Sequence, residues 1–330
     1  MNREWLERTG LAWLTALEDE TGFAESVWRG VAATDQPRTF VTQARLGYCW
    51  AHLAQLFPHK SEFARAATKS FGIVQQAAFT PNEAHFSVYD QSFFLLFLAW
   101  HFRLTGDPAV LSLMKGRFAV IERHLDNAGA GGFAPQPAGI RSHNPYMHLL
   151  EALLAAFRLT EDEYWLGEAR RIEALFFERL LNHDRQVVFE FLNTDWSVKP
   201  PGRIEIGHQL EWSTLLRELH RFTGGPRLLS TAQTLHEFAM RHGFEDGLAI
   251  DAVKANGSPL ERRKLLWSQL EVAKHLSGQP AAAHWSRIRQ RFFQSNGWTW
   301  YNARTPEGQP VEEPSNARLL YHVVTAAAAE

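Results

Sequence analysis

The chain has 330 residues, enough for one large domain or two ordinary ones, and 45% of them are hydrophobic, which suffices for a substantial buried core. A formal net charge of -2, with acidic and basic residues interspersed, argues against nucleic acid or an anionic membrane as the main partner. The longest apolar stretch, 93–100, is far shorter than a bilayer span, the N-terminus is charged, and Cys49 is the single cysteine, so we expect a cytoplasmic protein without a membrane segment or secretion signal.

Apolar residues recur at helical spacing in twelve segments, each of which we predict to be a helix. In chain order the predicted helices span 5–19, 42–56, 62–76, 90–104, 109–126, 146–159, 163–181, 208–222, 227–241, 261–276, 281–293 and 316–327. Tight breakers, each typical of an antiparallel helix pair, stand at 57–60, 105–108, 160–162, 223–226 and 277–280. Long links rich in Gly, Pro and Asn lie between the pairs, and the alternating residues 187–191 predict a short hairpin in one of them.

Unusual polar residues stand near the start or in the apolar core of the even-numbered helices. They are Arg45, Asp90, His148, His208, Gln269 and His322. Alternate helices form the inner ring of an α/α toroid, so these side chains would converge on one central pocket. We therefore predict an all-α fold, an (α/α)6 barrel of six helical hairpins with short hairpins in the long loops, as a single domain over 1–330. An open solenoid is the alternative, although the hairpins show no defined solenoid repeat.

The chain is rich in aromatic residues, with 12 Trp and 23 Phe. Packing between helices is the first explanation, because these side chains each bury a large area. A sugar-binding cleft is the second, since flat pyranose faces stack on indoles while polar groups take the hydroxyls. The near-neutral charge balance agrees with a small neutral or modestly charged ligand.

A His-x-x-Glu spacing occurs twice where a helix is predicted to begin, at His208 with Glu211 and at His148 with Glu151. Residues i and i+3 share a helix face, and a histidine exchanges protons near neutral pH, so each copy indicates acid/base chemistry. A helix N-terminus disfavours an imidazolium. We therefore expect a neutral His208, with Glu211 orienting it or holding a ligand hydroxyl. The structural alternative is an ordinary hydrogen bond at each helix start.

Four other polar residues have a structural interpretation beside the functional one. Asn144 and Asp90 are both predicted to cap the helices that begin beside them. His322 lies in an otherwise apolar helix, where a lone histidine is more often structural. Arg45 follows Gln43 in an aromatic setting and should therefore have an anionic or polar partner.

Motifs for several other chemistries are absent from the sequence. The order His-x-x-Glu is the reverse of the Glu-x-x-His of di-iron bundles, and the chain has no His-Glu-x-x-His, Walker loop, Rossmann fingerprint or Gly-x-Ser-x-Gly elbow. A glycoside hydrolase on the same toroid remains an alternative, because two carboxylates could come from Asp90, Glu205, Glu211 and Glu271.

Six ordered blocks resemble the N-acylglucosamine 2-epimerase superfamily, which also contains cellobiose and mannose 2-epimerases, mannose isomerases and sulfoquinovose-handling aldose-ketose isomerases. The blocks are QARLGY at 43–48, YDQSF at 89–93, NPYMHLLEA at 144–152, GHQLEW at 207–212, WSQLE at 267–271 and YHV at 321–323. The resemblance implies an (α/α)6 barrel, a monosaccharide substrate and chemistry without a metal or redox cofactor. It also implies that His208 and His322 are the acid/base histidines, in a sugar site lined by Arg45, Tyr89, Asn144, His148, Glu211, Trp267 and Glu271.

The proton on C2 of an open-chain aldose becomes removable only if the resulting enediolate is stabilised. We predict that His322 takes this proton, that His208 serves ring opening or proton transfer at O1 and O2, and that Arg45 stabilises charge. Return of the proton to C1 gives a ketose, whereas reprotonation of C2 from the opposite face gives the 2-epimer.

Three of the blocks, YDQSF, NPYMH and GHQLEW, look more like the mannose isomerase branch than the acylamino-sugar epimerases. We therefore predict interconversion of D-mannose and D-fructose through a cis-enediolate. A sugar 2-epimerase acting on mannose/glucose or N-acylglucosamine is the first alternative, and a glycoside hydrolase or a non-catalytic sugar-binding toroid is the second. Shortened loops, and Ser268 and Leu270 where many relatives have Pro and Thr, bear on substrate specificity. Phosphorylation of the sugar and a homodimer are left open.

Overall fold

The computed structural model describes residues 3–328, apart from residue 34 and the segments 79–86, 127–131 and 133–138. Twelve α-helices lie in this part of the chain, as the apolar periodicity predicts. They are α1 (Arg3–Leu17), α2 (Phe40–Leu56), α3 (Ser61–Ala78), α4 (Val88–Thr105), α5 (Pro108–Asp126), α6 (Asn144–Thr160), α7 (Glu163–Leu175), α8 (Ile206–Thr223), α9 (Pro226–His242), α10 (Leu266–His275), α11 (Gly278–Phe292) and α12 (Leu320–Ala328).

Sixteen short strands occupy the links between helices in the described residues. They are β1 (Glu18–Asp19), β2 (Gly22–Phe23), β3 (Ser26–Trp28), β4 (Val31–Ala32), β5 (Ile140–Ser142), β6 (Leu181–Asn182), β7 (Val187–Val188), β8 (Phe191–Asn193), β9 (Ile204–Glu205), β10 (Phe244–Glu245), β11 (Leu248–Ala249), β12 (Ala252–Val253), β13 (Pro259–Glu261), β14 (Lys264–Leu265), β15 (Ala303–Arg304) and β16 (Ser315–Asn316). All are paired antiparallel in sheets of two or three strands, and the predicted hairpin appears as β6 with β7. The prediction of short hairpins in the long loops is therefore confirmed.

The even-numbered helices form a closed ring in which α2 packs on α4, α4 on α6, α6 on α8, α8 on α10, α10 on α12 and α12 on α2. Each odd-numbered helix packs outside this ring on the inner helix that precedes it, and α1 packs on α12. The fold is thus the predicted (α/α)6 barrel, and the open solenoid is wrong. A short turn joins each of α2, α4, α6, α8 and α10 to its outer partner, and α12 follows a long link. The starts of the inner helices therefore lie at the end of the barrel that carries the long links.

Strands fix where the inner helices begin. β5, β9 and β14 end within two residues of the starts of α6, α8 and α10. Strand formation also explains two shifted boundaries: α10 begins at Leu266 rather than 261 because β13 and β14 occupy the preceding residues, and β16 with a 3-10 turn (Ala317–Leu319) delays α12. A π-helical turn (Phe176–Leu180) follows the end of α7.

Three inner helices hold the strands through the same device, a buried glutamine that pairs with both backbone groups of one strand residue. Gln209 accepts from the amide of Val188 at 3.0 Å and donates to its carbonyl at 2.8 Å. Gln43 bonds Phe23 in the same way on α2, and Gln269 does so on α10. The sequence-based placement of Gln269 in the central pocket is therefore wrong, because its amide is engaged with β11.

The inner helix α4 shows why the core is so apolar. Its residues 92–99 are buried without interruption, so all sides of the helix face protein, as expected of a helix surrounded by α2, α5 and α6.

Two predicted helix caps are wrong. Ser87, not Asp90, precedes α4, and its hydroxyl accepts a hydrogen bond from the amide of Asp90 at 3.2 Å, while Asn144 is already the first residue of α6. Among the described residues, no helix has the length and apolarity to cross a lipid bilayer.

Candidate active site

The predicted site residues are distributed over all six inner helices. They are Arg45 on α2, Tyr89 on α4, Asn144 and His148 on α6, His208 and Glu211 on α8, Trp267 and Glu271 on α10, and His322 on α12. Their elements come from distant parts of the chain, and ring closure brings them to the centre of the barrel. All except Asn144 are joined by the contacts described below.

His208 lies among three carboxylates. Its Nδ1 is 2.7 Å from Oε2 of Glu190 and 3.2 Å from Oε2 of Glu205, and its Nε2 is 3.9 Å from Oε2 of Glu211. Glu190 follows β7, is 4% exposed, and its amide bonds the carbonyl of Arg203 at 2.8 Å. Glu190 rather than Glu211 therefore orients the imidazole, and sequence reasoning missed it. The alternating run 187–191 was the available signal, because it placed this carboxylate at a buried strand.

His143 and Trp212 form the other side of Glu190. His143 Nε2 lies 3.1 Å from the same Oε2 atom, and the indole N–H of Trp212 lies 3.0 Å from His143 Nδ1. An indole nitrogen can only donate, so Nδ1 of His143 accepts this hydrogen bond. The ring proton of His143 is therefore on Nε2, which donates a hydrogen bond to Glu190. In this arrangement His143 is neutral, and Glu190 keeps its full negative charge facing His208.

The prediction that His208 is neutral is wrong. Burial alone would lower its pKa, but the surrounding carboxylates, of which Glu190 has the largest effect, raise it to about 10. The pKa of Glu190 is correspondingly held well below its usual value, against the effect of burial, by the facing imidazole of His208. His208 is therefore a cation at neutral pH, because these charges outweigh the helix N-terminus.

His322 has a similar first contact and different surroundings. Its Nδ1 is 2.8 Å from Oε1 of Glu271, and the ammonium of Lys274 is 2.7 Å from the same oxygen. Burial lowers the pKa of His322 to about 4; Glu271 acts in the opposite direction, and the cations of Lys274 and Arg45 lower the pKa further. Burial would raise the pKa of Glu271, but Lys274 and His322 lower it to about 2. His322 is therefore neutral at neutral pH, with the lone pair on Nε2.

The indole of Trp267 lies between the two histidines. Its ring centroid is 4.8 Å from that of His208 and 5.7 Å from that of His322. This position requires Gly207, because a Cβ atom there would lie 2.2 Å from the indole. The glycine that opens α8 thus allows the indole to pack against the helix start.

Aromatic rings surround Arg45 and His148. The guanidinium of Arg45 lies 3.8 Å from the centroid of the Phe93 ring and donates to the hydroxyl of Tyr89. The His148 ring is 5.2 Å from that of Tyr89 and 4.5 Å from that of Phe93. Arg45 therefore has the polar partner that its setting requires.

The second His-x-x-Glu pair forms the predicted hydrogen bond, with His148 Nδ1 3.1 Å from Oε2 of Glu151. The other oxygen of Glu151 accepts from the hydroxyl of Tyr321, whose ring is 4.8 Å from that of His322. Burial lowers the pKa of His148 to about 4 despite Glu151. This pair links α6 to α12 beneath the histidines.

Glu211 forms part of the floor of the site. A small cavity of about 30 Å³, enough for a water molecule, lies against Glu211, Glu151, Glu271 and Lys274. Burial and the neighbouring Glu271 raise the pKa of Glu211 to about 8, so it is mainly a neutral carboxylic acid at pH 7. A neutral Glu211 can donate a hydrogen bond as well as accept one.

Several buried polar atoms at the site have no hydrogen-bond partner within the described ranges. They are Nε of Arg45, Oδ1 of Asn144 and Oε2 of Glu271. A donor and two acceptors left in this state are costly unless a polar ligand satisfies them. The arrangement fits a ligand rich in hydroxyl groups.

Two groups of buried side chains bring potential metal-binding atoms within 4.8 Å of one another. They are His143 with Glu190 and His208, and Glu211 with Glu271 and His322. In the first group the Nδ1 of His143 accepts from Trp212, and Glu190 accepts from both imidazoles. In the second, the ammonium of Lys274 would repel a cation. Both groups are better described as hydrogen-bonded acid/base clusters.

Comparison with known proteins gives matches over most of the chain. Residues 22–326 match the family described as N-acylglucosamine 2-epimerase (GlcNAc 2-epimerase). The chain is 27% identical over 271 residues to a mannose-6-phosphate isomerase of Rhizobium meliloti (strain 1021), covering 74% of this chain and 69% of that protein. It is 30% identical over 230 residues to a D-mannose isomerase of Thermobifida fusca, covering 60% of this chain and 56% of that protein.

A solved structure agrees with this sequence similarity. The fold matches the crystal structure of a D-mannose isomerase with a TM-score of 0.86 over 99% of this chain and 96% of that chain, at 17% identity. At this identity the match establishes the fold of the barrel but no residue roles.

Proposed function

The chain belongs to the N-acylglucosamine 2-epimerase family, and we propose that it is an aldose-ketose isomerase that interconverts D-mannose and D-fructose. As a member of this family it isomerises or epimerises sugars. The finer assignment is supported by the names of the two relatives, both isomerases of mannose or its phosphate. No metal or redox cofactor is part of the proposal.

One observation carries the proposal: two histidines in different protonation states, one neutral and one cationic, lie against the same indole. His322 is neutral and His208 is a cation, with pKa values of about 4 and about 10. General acid/base catalysis at a carbon next to a carbonyl needs this combination, because one group must take the C2 proton while another supplies a proton to oxygen.

The proposed reaction uses the nitrogen of each imidazole that does not face its carboxylate. Nε2 of His322 takes the proton from C2 of the open-chain aldose, and the C–H electron pair forms the C1–C2 double bond. The Nε2–H of His208 protonates O1 as its charge develops, and the guanidinium of Arg45 stabilises that charge. His208 then removes the proton from O2, and His322 delivers its proton to C1, which gives the ketose and restores both histidines.

A 2-epimerase is the second candidate, and the charge of His208 favours it. If His208 faces C2 from the side opposite His322, its proton can be delivered to C2 itself, and mannose then becomes glucose. The two outcomes share the removal of the C2 proton by His322. They differ in whether His208 then gives its proton to O1, so that His322 can protonate C1, or gives it to C2 of the enediolate.

The reaction product tests the proposal directly. The protein is incubated with D-mannose in deuterated water, and the sugars are followed by NMR from the earliest time points, with mannose 6-phosphate, cellobiose and N-acetylglucosamine as parallel substrates. We expect fructose as the main early product from mannose, with deuterium at C1 only in the fraction of turnovers in which the proton held by His322 exchanges with solvent before it is delivered. Glucose as the main early product would overturn the isomerase in favour of the epimerase, and no conversion of any of these sugars would overturn both.

A further inference from the structure

Nδ1 of each catalytic histidine lies at nearly the same distance from a carboxylate, yet His208 is a cation and His322 is neutral. His208 Nδ1 is 2.7 Å from Glu190 and His322 Nδ1 is 2.8 Å from Glu271. Burial is also similar, because the two histidines are 7% and 5% exposed. Their surroundings differ in two ways: His208 has two further carboxylates close by, Glu205 and Glu211, and the carboxylate that pairs with His322 also accepts from a lysine.

The lysine that contacts Glu271 is Lys274. Its ammonium lies 2.7 Å from Oε1 of Glu271, the atom that also accepts from His322, and its side chain is 13% exposed. On the other side, Glu190 shares its Oε2 with His143, whose geometry with Trp212 makes it a neutral donor. Among the described residues, Glu271 therefore has a lysine as a partner besides its histidine, whereas the Glu190 carboxylate is hydrogen-bonded by two histidines, His143 and His208.

We propose that Lys274 is a positioning residue of the sugar reaction: by neutralising Glu271 it keeps His322 uncharged and available as the base that removes the C2 proton. The proposal rests on the proposed function. Without Lys274, Glu271 would form a charged pair with His322, as Glu190 does with His208. Lys274 also leaves Oε2 of Glu271 without a partner in the described part of the chain, so that this oxygen can accept a sugar hydroxyl.

The other groups around His322 do not replace this effect. Arg45, Glu211, Glu271, Lys274 and Tyr321 act on His322 or lie beside it. One contact further away, Tyr48, His148 and Glu151 lie against Tyr321, Tyr89 lies against His148, and His208 lies against the same indole as His322. Arg45 also disfavours a charged His322, but it donates to Tyr89 and does not contact Glu271 in the described structure. Of these cations, only Lys274 donates to Oε1 of Glu271, the atom that also accepts from His322.

Lys274→Met tests the proposal because it keeps the length of the side chain and removes its charge. Loss of the cation favours an imidazolium at His322, so its pKa should rise and the acid limb of the kcat/KM profile should move upward from about 4 by at least about 1 pH unit. Lys274→Arg, which keeps the charge, should restore the wild-type limb. Lys115→Met removes a lysine that is 53% exposed and paired with Asp162, and it should leave the profile unchanged.

A double-variant comparison shows whether the effect passes through Glu271. Lys274→Met should shift the acid limb in the wild-type background and should shift it clearly less in a Glu271→Gln background, where only the direct effect of the lysine charge on His322 is left. Equal shifts in both backgrounds, or no shift in either, would overturn the proposal. If Lys274→Met does not fold, Lys274→Gln takes its place with the same expected shifts.

Histidine NMR separates this inference from the proposed function. Titration of labelled histidines in the folded protein, assigned with His322→Gln, reads the pKa of His322 without any substrate. A rise in Lys274→Met supports the role of Lys274 even if mannose is not turned over. An unchanged value would overturn that role even if mannose is isomerised.

Discussion

His208 and His322 each donate Nδ1–H to a buried carboxylate, at 2.7 and 2.8 Å. One half of the site consists of Glu190 and the side chains bonded to it. There the carboxylate accepts a hydrogen bond from a neutral His143, and the pKa of His208 is raised to about 10. In the half built around Glu271, the carboxylate meets a lysine, and the pKa of His322 falls to about 4. The two histidines therefore share a first contact, and their charges differ with the other charged groups around them: Glu205 and Glu211 near His208, and Lys274 and Arg45 near His322.

Glu205 supplies a third case within the same molecule. Its Oε2 is 3.2 Å from Nδ1 of His208, but its Oε1 accepts from the guanidinium of Arg203 at 2.7 Å. Like Glu271, it is a carboxylate that already has a cationic partner. It should therefore contribute less than Glu190 to the charge of His208, which agrees with the smaller effect of Glu205 on the pKa.

The largest expected effect is loss of either histidine. His322→Gln and His208→Gln should each lower kcat/KM on the sugar substrate by about 10²–10⁴-fold, because each removes one partner of the acid/base pair. A bell-shaped pH profile should have its acid limb near 4 from His322 and its alkaline limb near 10 from His208. Rates measured from pH 3.5 to 11 should show that His322→Gln loses the acid limb and His208→Gln the alkaline limb.

The sign of each limb follows from the protonation state that works. His322 must be neutral, so activity falls as pH drops through its pKa, and His208 must be protonated, so activity falls as pH rises through its pKa. An alkaline limb near 8 that vanishes in Glu211→Gln would assign that limb to Glu211 instead. Loss of the alkaline limb in His322→Gln and of the acid limb in His208→Gln would contradict the assignment of a neutral His322 and a protonated His208.

A smaller effect is expected from the carboxylates of the Glu190 half. Glu190→Gln removes the main charge that keeps His208 protonated, so the alkaline limb should move to lower pH and kcat/KM at pH 8 should fall about 10–100-fold. Glu205→Gln is the matched control, since the lost carboxylate is close to the same nitrogen but is paired with Arg203. The alkaline limb should move less for Glu205→Gln than for Glu190→Gln. Equal shifts would show that pairing with Arg203 does not reduce the effect of Glu205 on the charge of His208.

The fold was largely predictable from the sequence. Helical periodicity, tight turns and long links gave twelve helices in hairpins, and the alternation of polar residues gave the inner ring. Boundaries were less predictable where strand pairing competed, as at the start of α10, because residues 261 and 264–265 pair with partners elsewhere in the chain. Gln269 was placed in the pocket because sequence cannot show that its amide pairs with the backbone of Ala249.

Most residues of the site were predictable from the sequence, but the protonation state of His208 was not. His208, His322 and Glu271 could be selected from helix positions and family resemblance, and the structure places them together at the centre of the barrel. Glu190 lies outside the inner helices, so no helical spacing pointed to it. The charge of His208 depends on that residue, which explains why the helix-terminus argument gave the wrong sign.

The smallest effect isolates the hydrogen bond that makes His143 neutral. Trp212→Phe removes the N–H that lies 3.0 Å from His143 Nδ1 while keeping a ring against Phe176. Nδ1 of His143 then loses the donor that fixes its tautomer, so the hydrogen bond from His143 to Glu190 is less well defined, and the alkaline limb should move to lower pH by less than about 1 unit. Trp13→Phe is the matched control, because it removes a buried indole hydrogen bond of 2.8 Å to the carbonyl of Trp298. Both variants should lose about 1 kcal/mol of unfolding free energy, but only Trp212→Phe should shift the profile; a shift in both, or in neither, would show that the neutrality of His143 does not set the charge of His208.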